Sequence, residues 1–266
     1  MYEETFAYVY DHLMEDVDYS AWARHYAALF GYAGITSTEN GNPILVSAEG
    51  SAGNPVRVLD CACGTGNMTL ALHSLGFKMT GMDRSVDMLG VAAKKIRSRG
   101  ATIPFIMQDM RSLAIHKPVD AIVCACDGVN YLLTDEDVRL FFTAARNALR
   151  VGGGLFFDVS SAYKLEHILG NNCFGDDDGS TAYLWRNEYK PTDRLVTMDL
   201  TFFTRERDGR YRAARETHVQ RAHEPDRLTA LMIECGFKNV QAFGSMSLNP
   251  IAADDERIHF IGIRED

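Results

Sequence analysis

The amino-acid sequence predicts an α/β protein whose core is a doubly wound, mostly parallel sheet of seven strands. Three patterns indicate this fold. Strand and helix signals alternate through residues 56–160, which is typical of a parallel sheet with helices on both faces. Residues 178–222 then change to a period of two, which is typical of antiparallel strands. Two further strand signals follow, so the 266 residues are expected to form one large domain with a small insert.

The N-terminal segment, residues 1–33, is expected to form a helical lid over the core. Apolar side chains recur there at helical spacing in two stretches, one around Tyr10 and one around Trp22. Residues 34–55 contain four glycines and two prolines, so we interpret them as a loop. The domain assignment is 34–169 and 223–266 for the core, and 170–222 for an antiparallel β cap.

The strands of the predicted core alternate with helices that carry capping signals. Ser85 is placed as the N-cap of a helix that runs to about Arg97. Thr134 opens a capping-box sequence before a helix that runs to Leu149, and Gly152-Gly153-Gly154 is interpreted as a turn into the next strand. The five predicted strands of this region are 56–60, 77–82, 103–107, 121–126 and 155–159.

The cap is predicted to contain three antiparallel strands. Asp208-Gly209 supplies the hairpin turn between the last two of them. After the cap, Pro225 opens a helix that ends at Gly236, and two short strands complete the core sheet. The predicted cap strands are 182–189, 195–204 and 211–221, and the closing strands are 240–243 and 259–263.

Composition and charge narrow the functional classes. The formal net charge is −9, so a broad phosphate-binding surface is disfavoured, although a local basic patch is compatible with it. No uncharged stretch is long enough to span a membrane, and the acidic N-terminus does not resemble a signal peptide. We therefore expect a cytoplasmic protein, monomeric or homodimeric, with no membrane partner. Six cysteines are too few for a disulfide scaffold in a chain of this length.

Carboxylates follow three successive strands of the predicted sheet. Asp60 closes the first strand just before the glycine turn at 61–66, Asp83 ends the second strand, and Asp109 follows the third. In an open α/β sheet, ligands bind beyond the carboxyl ends of the strands. Any one of these acids could instead cap a helix or stabilise a turn. Their repetition at successive strand ends indicates a ligand site, in which Asp83 can accept both hydroxyls of a ribose.

These strand-end segments resemble those of a known enzyme family. Residues 59–66, Leu-Asp-Cys-Ala-Cys-Gly-Thr-Gly, are similar to motif I of the class I S-adenosylmethionine-dependent methyltransferases, and residues 81–89 are similar to the second motif. Gln108-Asp109-Met110 resembles the adenine-contacting segment. The resemblance covers nearly the whole chain and extends to small bacterial methyltransferases with a β insert, which are distantly related to glycine and amino-sugar N-methyltransferases. It implies a Rossmann-like methyltransferase sheet with S-adenosylmethionine as cofactor.

The resemblance also implies which residues hold the methionine end of the cofactor. The backbone of Ala62 and Gly64 is expected to line it. Cys126, at the end of the fourth strand, is expected to offer its carbonyl to the ammonium group. Tyr10 and Trp22, on the N-terminal helices, are expected to close over this end.

The nucleoside end is assigned in the same way. Asp83 is expected to hold the ribose hydroxyls, with Arg84 and Met88 flanking the adenine. Asp109 is expected to accept from the adenine amino group, beside Gln108 and the backbone of Met110.

A nicotinamide dinucleotide site is the alternative interpretation of the glycine turn. Its fingerprint requires a third glycine at position 69, where this sequence has Thr69. Asp60 would also repel a pyrophosphate, whereas a carboxylate suits a cofactor with a cationic sulfur and an ammonium group. The sequence therefore favours S-adenosylmethionine.

The predicted reaction is methyl transfer to a nitrogen or oxygen of a small-molecule acceptor. His218, in the middle of a cap strand, is our first candidate for a general base, although it could instead be a cross-strand-paired histidine. Alternation places Glu216 on the same face and Arg221 on the other. Asp127 and Tyr131 follow the fourth strand, where related enzymes place substrate contacts.

Three alternatives remain open at this point. The chain could methylate RNA, or bind S-adenosylmethionine without transferring its methyl group. Nucleic acid is disfavoured by the acidic charge but is not excluded. Four cysteines could also approach one another across two neighbouring strands and suggest zinc, but buried cysteines more often act as small apolar side chains, so no metal is expected. Those cysteines are Cys61, Cys63, Cys124 and Cys126.

Overall fold

The computed structural model describes residues 7, 10–11, 14, 16–35, 49–50 and 54–266. The first predicted helix lies mostly outside these residues, although Tyr10 and Asp11 are helical, and so does most of the loop predicted for residues 34–55. In chain order, the strands are β1 (Glu49–Gly50), β2 (Asn54–Pro55), β3 (Arg57–Cys61), β4 (Lys78–Asp83), β5 (Phe105–Met107), β6 (Val119–Cys124), β7 (Leu149–Ser160), β8 (Cys173–Asp177), β9 (Thr181–Lys190), β10 (Leu195–Arg205), β11 (Tyr211–Arg221), β12 (Phe237–Gly244) and β13 (Arg257–Arg264).

The core sheet confirms the predicted doubly wound arrangement. Its seven strands lie in the order β12-β13-β7-β6-β3-β4-β5. Strands β3 to β7 are parallel, whereas β13 is antiparallel to both of its neighbours. The order reverses between β3 and β6, so the carboxyl ends of these two strands flank the crevice where ligands bind in sheets of this kind.

Helices cover both faces of this sheet. Ser85 and Thr134 are N-caps as predicted, since their hydroxyls accept from the backbone N–H groups of Met88 and Asp137 at 3.3 and 3.1 Å. Asp18 caps the N-terminal helix in the same way. The helices are α1 (Tyr19–Tyr32), α2 (Asn67–Ser74), α3 (Val86–Ser98), α4 (Asp135–Ala148) and α5 (Pro225–Glu234).

Alternation along the strands divides the buried core into two layers. Leu59 and Phe157 pack with α4 and α5 on one face, and Val58 and Phe156 pack with α1, α2 and α3 on the other. None of the helices in the described part of the chain is long and apolar enough to cross a membrane.

The cap sheet has four strands, so the prediction of three was incomplete. They lie in the order β11-β10-β9-β8, all antiparallel. The missed strand is β8, whose sequence Cys-Phe-Gly-Asp-Asp contains a glycine and two exposed carboxylates. Charged side chains and a short length protect an edge strand from pairing with other chains. The same features leave no alternation of apolar residues in the sequence from which the strand could be predicted.

Two predicted boundaries were wrong. Gly152-Gly153-Gly154 does not precede β7 but lies inside it. The backbone passes so close to the neighbouring strand there that a Cβ on Gly153 would lie 2.9 Å from the carbonyl oxygen of Asp120, so the position suits glycine. Strand β6 ends at Cys124 and not at Cys126, since Cys126 and Asp127 have left-handed backbone conformations with φ values of 58° and 70°. That turn belongs to the site described next.

Candidate active site

A cavity of about 640 Å³ lies at the carboxyl ends of the central strands. Its walls come from the turns after β3, β4, β5 and β6, from α1, and from the inner face of the cap. Every residue that the sequence assigned to the cofactor, and every candidate catalytic residue, lines this cavity. The fold therefore brings together side chains that are more than 200 positions apart in the chain, from Tyr10 to His218.

The turn after β3 is tight and left-handed. Ala62, Gly64 and Gly66 have φ values of 58°, 53° and 78°. A Cβ on Gly66 would lie 3.1 Å from the Cβ of Ala92, so glycine is required there by both conformation and space. The turn presents backbone to the cavity and leads directly into α2.

Asp83 fixes the geometry between the first two strand ends. Its Oδ2 accepts from the Gly64 N–H at 2.9 Å, and its Oδ1 accepts from the Ser85 N–H at 2.8 Å. The carboxylate is 7% exposed, and burial raises its pKa. A ribose with hydroxyl donors fits this carboxylate. Both S-adenosylmethionine and dinucleotides carry such a ribose, so the choice between them rests on Thr69 and Asp60 and not on Asp83.

Thr69 occupies the position where a dinucleotide fingerprint has its third glycine. Its hydroxyl donates to Asp60 Oδ2 at 2.5 Å inside the protein. Burial raises the pKa of Asp60 to about 7. Asp60 lines the cavity, as expected of an acid at a ligand site, and it also stabilises the first turn of α2, as expected of an acid that follows a strand.

Asp109 is held by Arg111 at the opposite end of the cavity. The two side chains are 2.6 Å apart, and Arg111 also reaches Asp137 at 2.8 Å. Hydrogen bonding from Arg111 lowers the pKa of Asp109, which is therefore ionised at neutral pH. A carboxylate has about four acceptor positions, so Asp109 can keep this partner and still accept from an amino group.

A buried ion-pair network holds the turn after β6, and sequence reasoning missed its main members. Asp158 Oδ1 accepts from the Cys126 N–H at 2.9 Å and from the Tyr26 hydroxyl at 2.7 Å. Arg257 donates to both Asp127 and Asp158, and its guanidinium lies 4.9 Å from the ring centre of Trp22. The network thus joins α1, the turn after β6, β7 and β13.

Charge and burial oppose each other in this network. Burial disfavours ionisation of Asp127, but the charges of Arg257 and Lys164 outweigh it and lower the pKa. Burial dominates at Asp158, which is fully buried, and raises its pKa. Each of the two residues left a local signal in the sequence. Asp158 is a charged residue inside the apolar strand Phe-Phe-Asp-Val, and Arg257 is a charged residue at the start of the last strand. Their contact itself spans 99 positions and has no local signature.

His218 and Tyr131 meet on the cap side of the cavity. The Tyr131 hydroxyl lies 3.5 Å from His218 Nδ1, and the rings are nearly perpendicular. Burial lowers the pKa of His218 to about 4, so its ring is neutral at physiological pH. Glu216 is buried on the same side of β11, whereas Arg221 pairs with Asp135 at 2.9 Å, as alternation predicted.

Asn130 ties the cap to the core beside this pair. Its side-chain amide donates to the carbonyls of Ser160 and Arg221 at 3.0 Å, and its Oδ1 accepts from the Ser160 N–H at 3.0 Å. Asn130 has no exposed surface. Asn130 therefore fixes the end of the core strand β7, where the chain leaves for the cap, and the end of β11, the last cap strand.

The four cysteines of the zinc alternative lie in different surroundings. Cys61 and Cys124 lie on neighbouring strands without exposed surface, and their mutual contact together with burial raises the pKa of Cys124. Cys63 instead donates to its neighbour's carbonyl, at 3.8 Å from sulfur to oxygen. Across residues 54–266 and the described N-terminal positions, no three His, Cys, Asp or Glu side chains are grouped to hold a metal ion.

Two histidines that pack edge to face under α1 make folding sensitive to acid. His25 and His259 have ring centres 4.4 Å apart, and neither ring nitrogen of the fully buried His259 has a hydrogen-bond partner among the described residues. Burial, with a smaller contribution from His25, lowers the pKa of His259 to about 2. Above pH ~6.5 the ring is neutral in both the folded and unfolded states. Below it, only the unfolded chain takes up the proton, so stability falls by about 1.4 kcal/mol per pH unit.

Replacing His259 by phenylalanine should remove the part of this dependence that His259 contributes. We expect His259→Phe to lose about 2 kcal/mol less stability than the wild type between pH 7 and pH 5, measured by urea unfolding. The exposed His116 provides the control, since His116→Phe should keep the wild-type slope. Equal slopes in all three proteins would show that His259 is protonated without penalty in the folded state.

Comparison with known proteins agrees with this geometry. Residues 58–153 match the family described as a methyltransferase domain. A methyltransferase-named protein of Geobacillus sp. (strain WCH70) is 31% identical over 97% of this chain and 98% of its own length. The crystal structure of an S-adenosylmethionine-dependent methyltransferase from Clostridium acetobutylicum ATCC 824 superposes with a TM-score of 0.83, at 30% identity over 98% of both chains. The chain belongs to the S-adenosylmethionine-dependent methyltransferases: it is an enzyme that uses S-adenosylmethionine as its methyl donor.

Two curated sequence relatives that match over nearly the whole chain have names that give no acceptor. YqeM of Bacillus subtilis (strain 168), named as a methyltransferase, is 31% identical over 98% of this chain and 96% of its own length. A glycine/sarcosine N-methyltransferase of Halorhodospira halochloris is 34% identical, but over only 38% of this chain. The predicted family and cofactor are therefore confirmed, and the acceptor has to be approached through the cavity.

Proposed function

We propose that the enzyme transfers the methyl group to a nitrogen or oxygen of a small-molecule acceptor held between the core and the cap. The observation that carries this proposal is that one cavity reaches from the cofactor turns to the inner face of the cap. Its volume of about 640 Å³ is in the range of small-molecule sites. The acidic net charge of −9 disfavours a long nucleic-acid acceptor.

The residues assigned to the cofactor would orient it for this reaction. Asp83 would hold the ribose, the Ala62–Gly64 backbone and the Cys126 carbonyl would hold the methionine end, and Trp22 would cover it. When bound, S-adenosylmethionine supplies an electrophilic methyl group on a cationic sulfur. The sulfur becomes a neutral thioether when the methyl group is transferred, so the leaving group needs no acid. Alignment of the reacting atoms can contribute up to about 7–11 kcal/mol. Enclosure by α1 and the cap also keeps water away.

His218 would receive the proton that the acceptor loses. Its ring is neutral above pH ~5 because its pKa is about 4, and it is next to the Tyr131 hydroxyl. Such a histidine is a weak base. Methylation of a hydroxyl oxygen gives an oxonium ion, which is a strong acid, so a weak base is sufficient for an oxygen acceptor. Asp127 is already paired with Arg257, and its proposed role is to shape the site beside Tyr131.

Replacing His218 by alanine should lower turnover by about 10²–10³-fold, in the range of general acid–base catalysis, with little effect on cofactor affinity. Because the pKa of His218 is about 4, the wild-type rate should not decline from its protonation until the pH falls below about 5. Stopped assays with labelled cofactor, together with calorimetric titration of the cofactor, measure both quantities. Wild-type turnover in His218→Ala would exclude His218 as the base.

The proposed function itself can be tested with methyl-labelled S-adenosylmethionine and a bacterial metabolite extract. Label should move to low-molecular-weight products. Label in acid-precipitable RNA would favour an RNA methyltransferase instead, and cofactor binding without any transfer would favour a sensor protein.

A further inference from the structure

The wall of the cavity next to the candidate base is apolar on the side of β9 and β10, whereas Gln220 of β11 lines it on the side of the base itself. Register places Met198 of β10 directly opposite His218 of β11, so the two side chains adjoin on the inner face of the cap. Met198 packs with Leu169 and Trp185, and all three line the cavity together with Leu132, which lies beside Tyr131. Met198, Leu169 and Leu132 are 5–6% exposed. A molecule whose reacting atom approaches His218 therefore has its body against aliphatic and aromatic side chains.

Two basic side chains of the cavity wall, Arg257 and Lys164, already have partners of opposite charge. Arg257 is paired with Asp127 and Asp158. Lys164 lies 3.9 Å from Glu256, and its charge also contributes to the low pKa of Asp127. A zwitterionic acceptor would have to compete for these partners, and a polyhydroxylated one would leave its hydroxyls against Met198 and Trp185, where hydrogen-bond partners are scarce.

From this wall and these pairings we infer that the methyl acceptor is a largely apolar ring compound that carries the reacting hydroxyl or amine, of the phenol or arylamine class. The inference deepens the proposed function and rests on it. A flat ring suits a cavity whose lining includes Trp185 and Tyr131, because aromatic side chains pack well against planar surfaces. The inference separates this enzyme from acceptors such as glycine, which the names of three relatives contain.

The first experiment distinguishes the inference from the proposed function. The purified full chain is incubated with methyl-labelled S-adenosylmethionine and, in separate tubes, catechol, aniline, glycine, sarcosine, glucosamine and a metabolite extract. Label that enters ethyl acetate from the catechol or aniline tube, and from the extract, supports the inference, with a preference over the polar compounds of about 100-fold or more. Label confined to water-soluble small molecules overturns the inference and leaves the proposed function intact. Label only in RNA, or in nothing, overturns both.

A matched set of variants tests the wall itself. Met198→Gln keeps the length of the side chain but makes it polar, and should raise the KM of the apolar acceptor about tenfold while cofactor affinity is unchanged. Met198→Leu should restore the wild-type KM. Leu184→Gln is the control, because Leu184 is 39% exposed and is not among the residues of the cavity wall. If Met198→Gln folds, binds the cofactor and keeps the wild-type KM, the apolar wall does not select the acceptor.

Discussion

Replacing Arg257 by glutamine is expected to lower the free energy of unfolding by about 3–5 kcal/mol, because the change leaves two buried carboxylates without their shared cation. The side chain of Arg257 is only 15% exposed, and that of Asp158 has no exposed surface. For a chain of this size, the loss corresponds to a decrease in Tm of roughly 6–20 °C. Differential scanning calorimetry measures it directly.

The same variant should also impair catalysis, because Arg257 positions the turn at Cys126 and Asp127. We expect a lower kcat and a higher cofactor KM, with partial recovery in Arg257→Lys. The control is Arg150→Gln, which removes a pair with Asp120 whose arginine side chain is 46% exposed and which is worth at most about 1 kcal/mol. If Arg257→Gln unfolded within about 2 °C of the wild type, the network would not be a main support of the site.

Replacing Asp83 by alanine should weaken cofactor binding about 10- to 100-fold. The variant removes the proposed ribose contacts. It also removes the charged carboxylate that accepts hydrogen bonds from the Gly64 and Ser85 N–H groups. Isothermal titration calorimetry with S-adenosylmethionine or its demethylated product measures the change. Asp87→Ala makes the same substitution four positions away and outside the cavity, so it should bind normally. Unchanged affinity in Asp83→Ala would place the nucleoside elsewhere.

The strand-end part of the site was predictable because it is local. Asp83 follows its strand within a single β–α unit, and the left-handed turn at Gly64 is encoded by the glycines themselves. The fold rules then bring successive strand ends to one edge of the sheet. Tyr10 and Trp22 also line the cavity, but they are distant in sequence and were predicted only from the family resemblance.

The acceptor half was predictable only in outline. Arg257 and Asp127 are 130 positions apart in the chain, and the spacing of apolar residues in the sequence does not predict a contact between two such distant side chains. The apolar wall depends on register, since Met198 meets His218 only because β10 and β11 pair as they do. Strand β8 was missed because its charges and glycine obscure the alternation that marks the other cap strands.

The clasp formed by Asn130 keeps both ends of the cap segment at one point of the core. One buried amide holds the exit from the core at Ser160 and the return to it at Arg221. The cap also reaches the proposed nucleoside end of the cavity, because Phe202 of β10 packs in one cluster with Met88. A transplant of the segment 161–220 from a homologue would therefore have to keep Asn130 and the contact at position 202 to leave the cofactor side undisturbed.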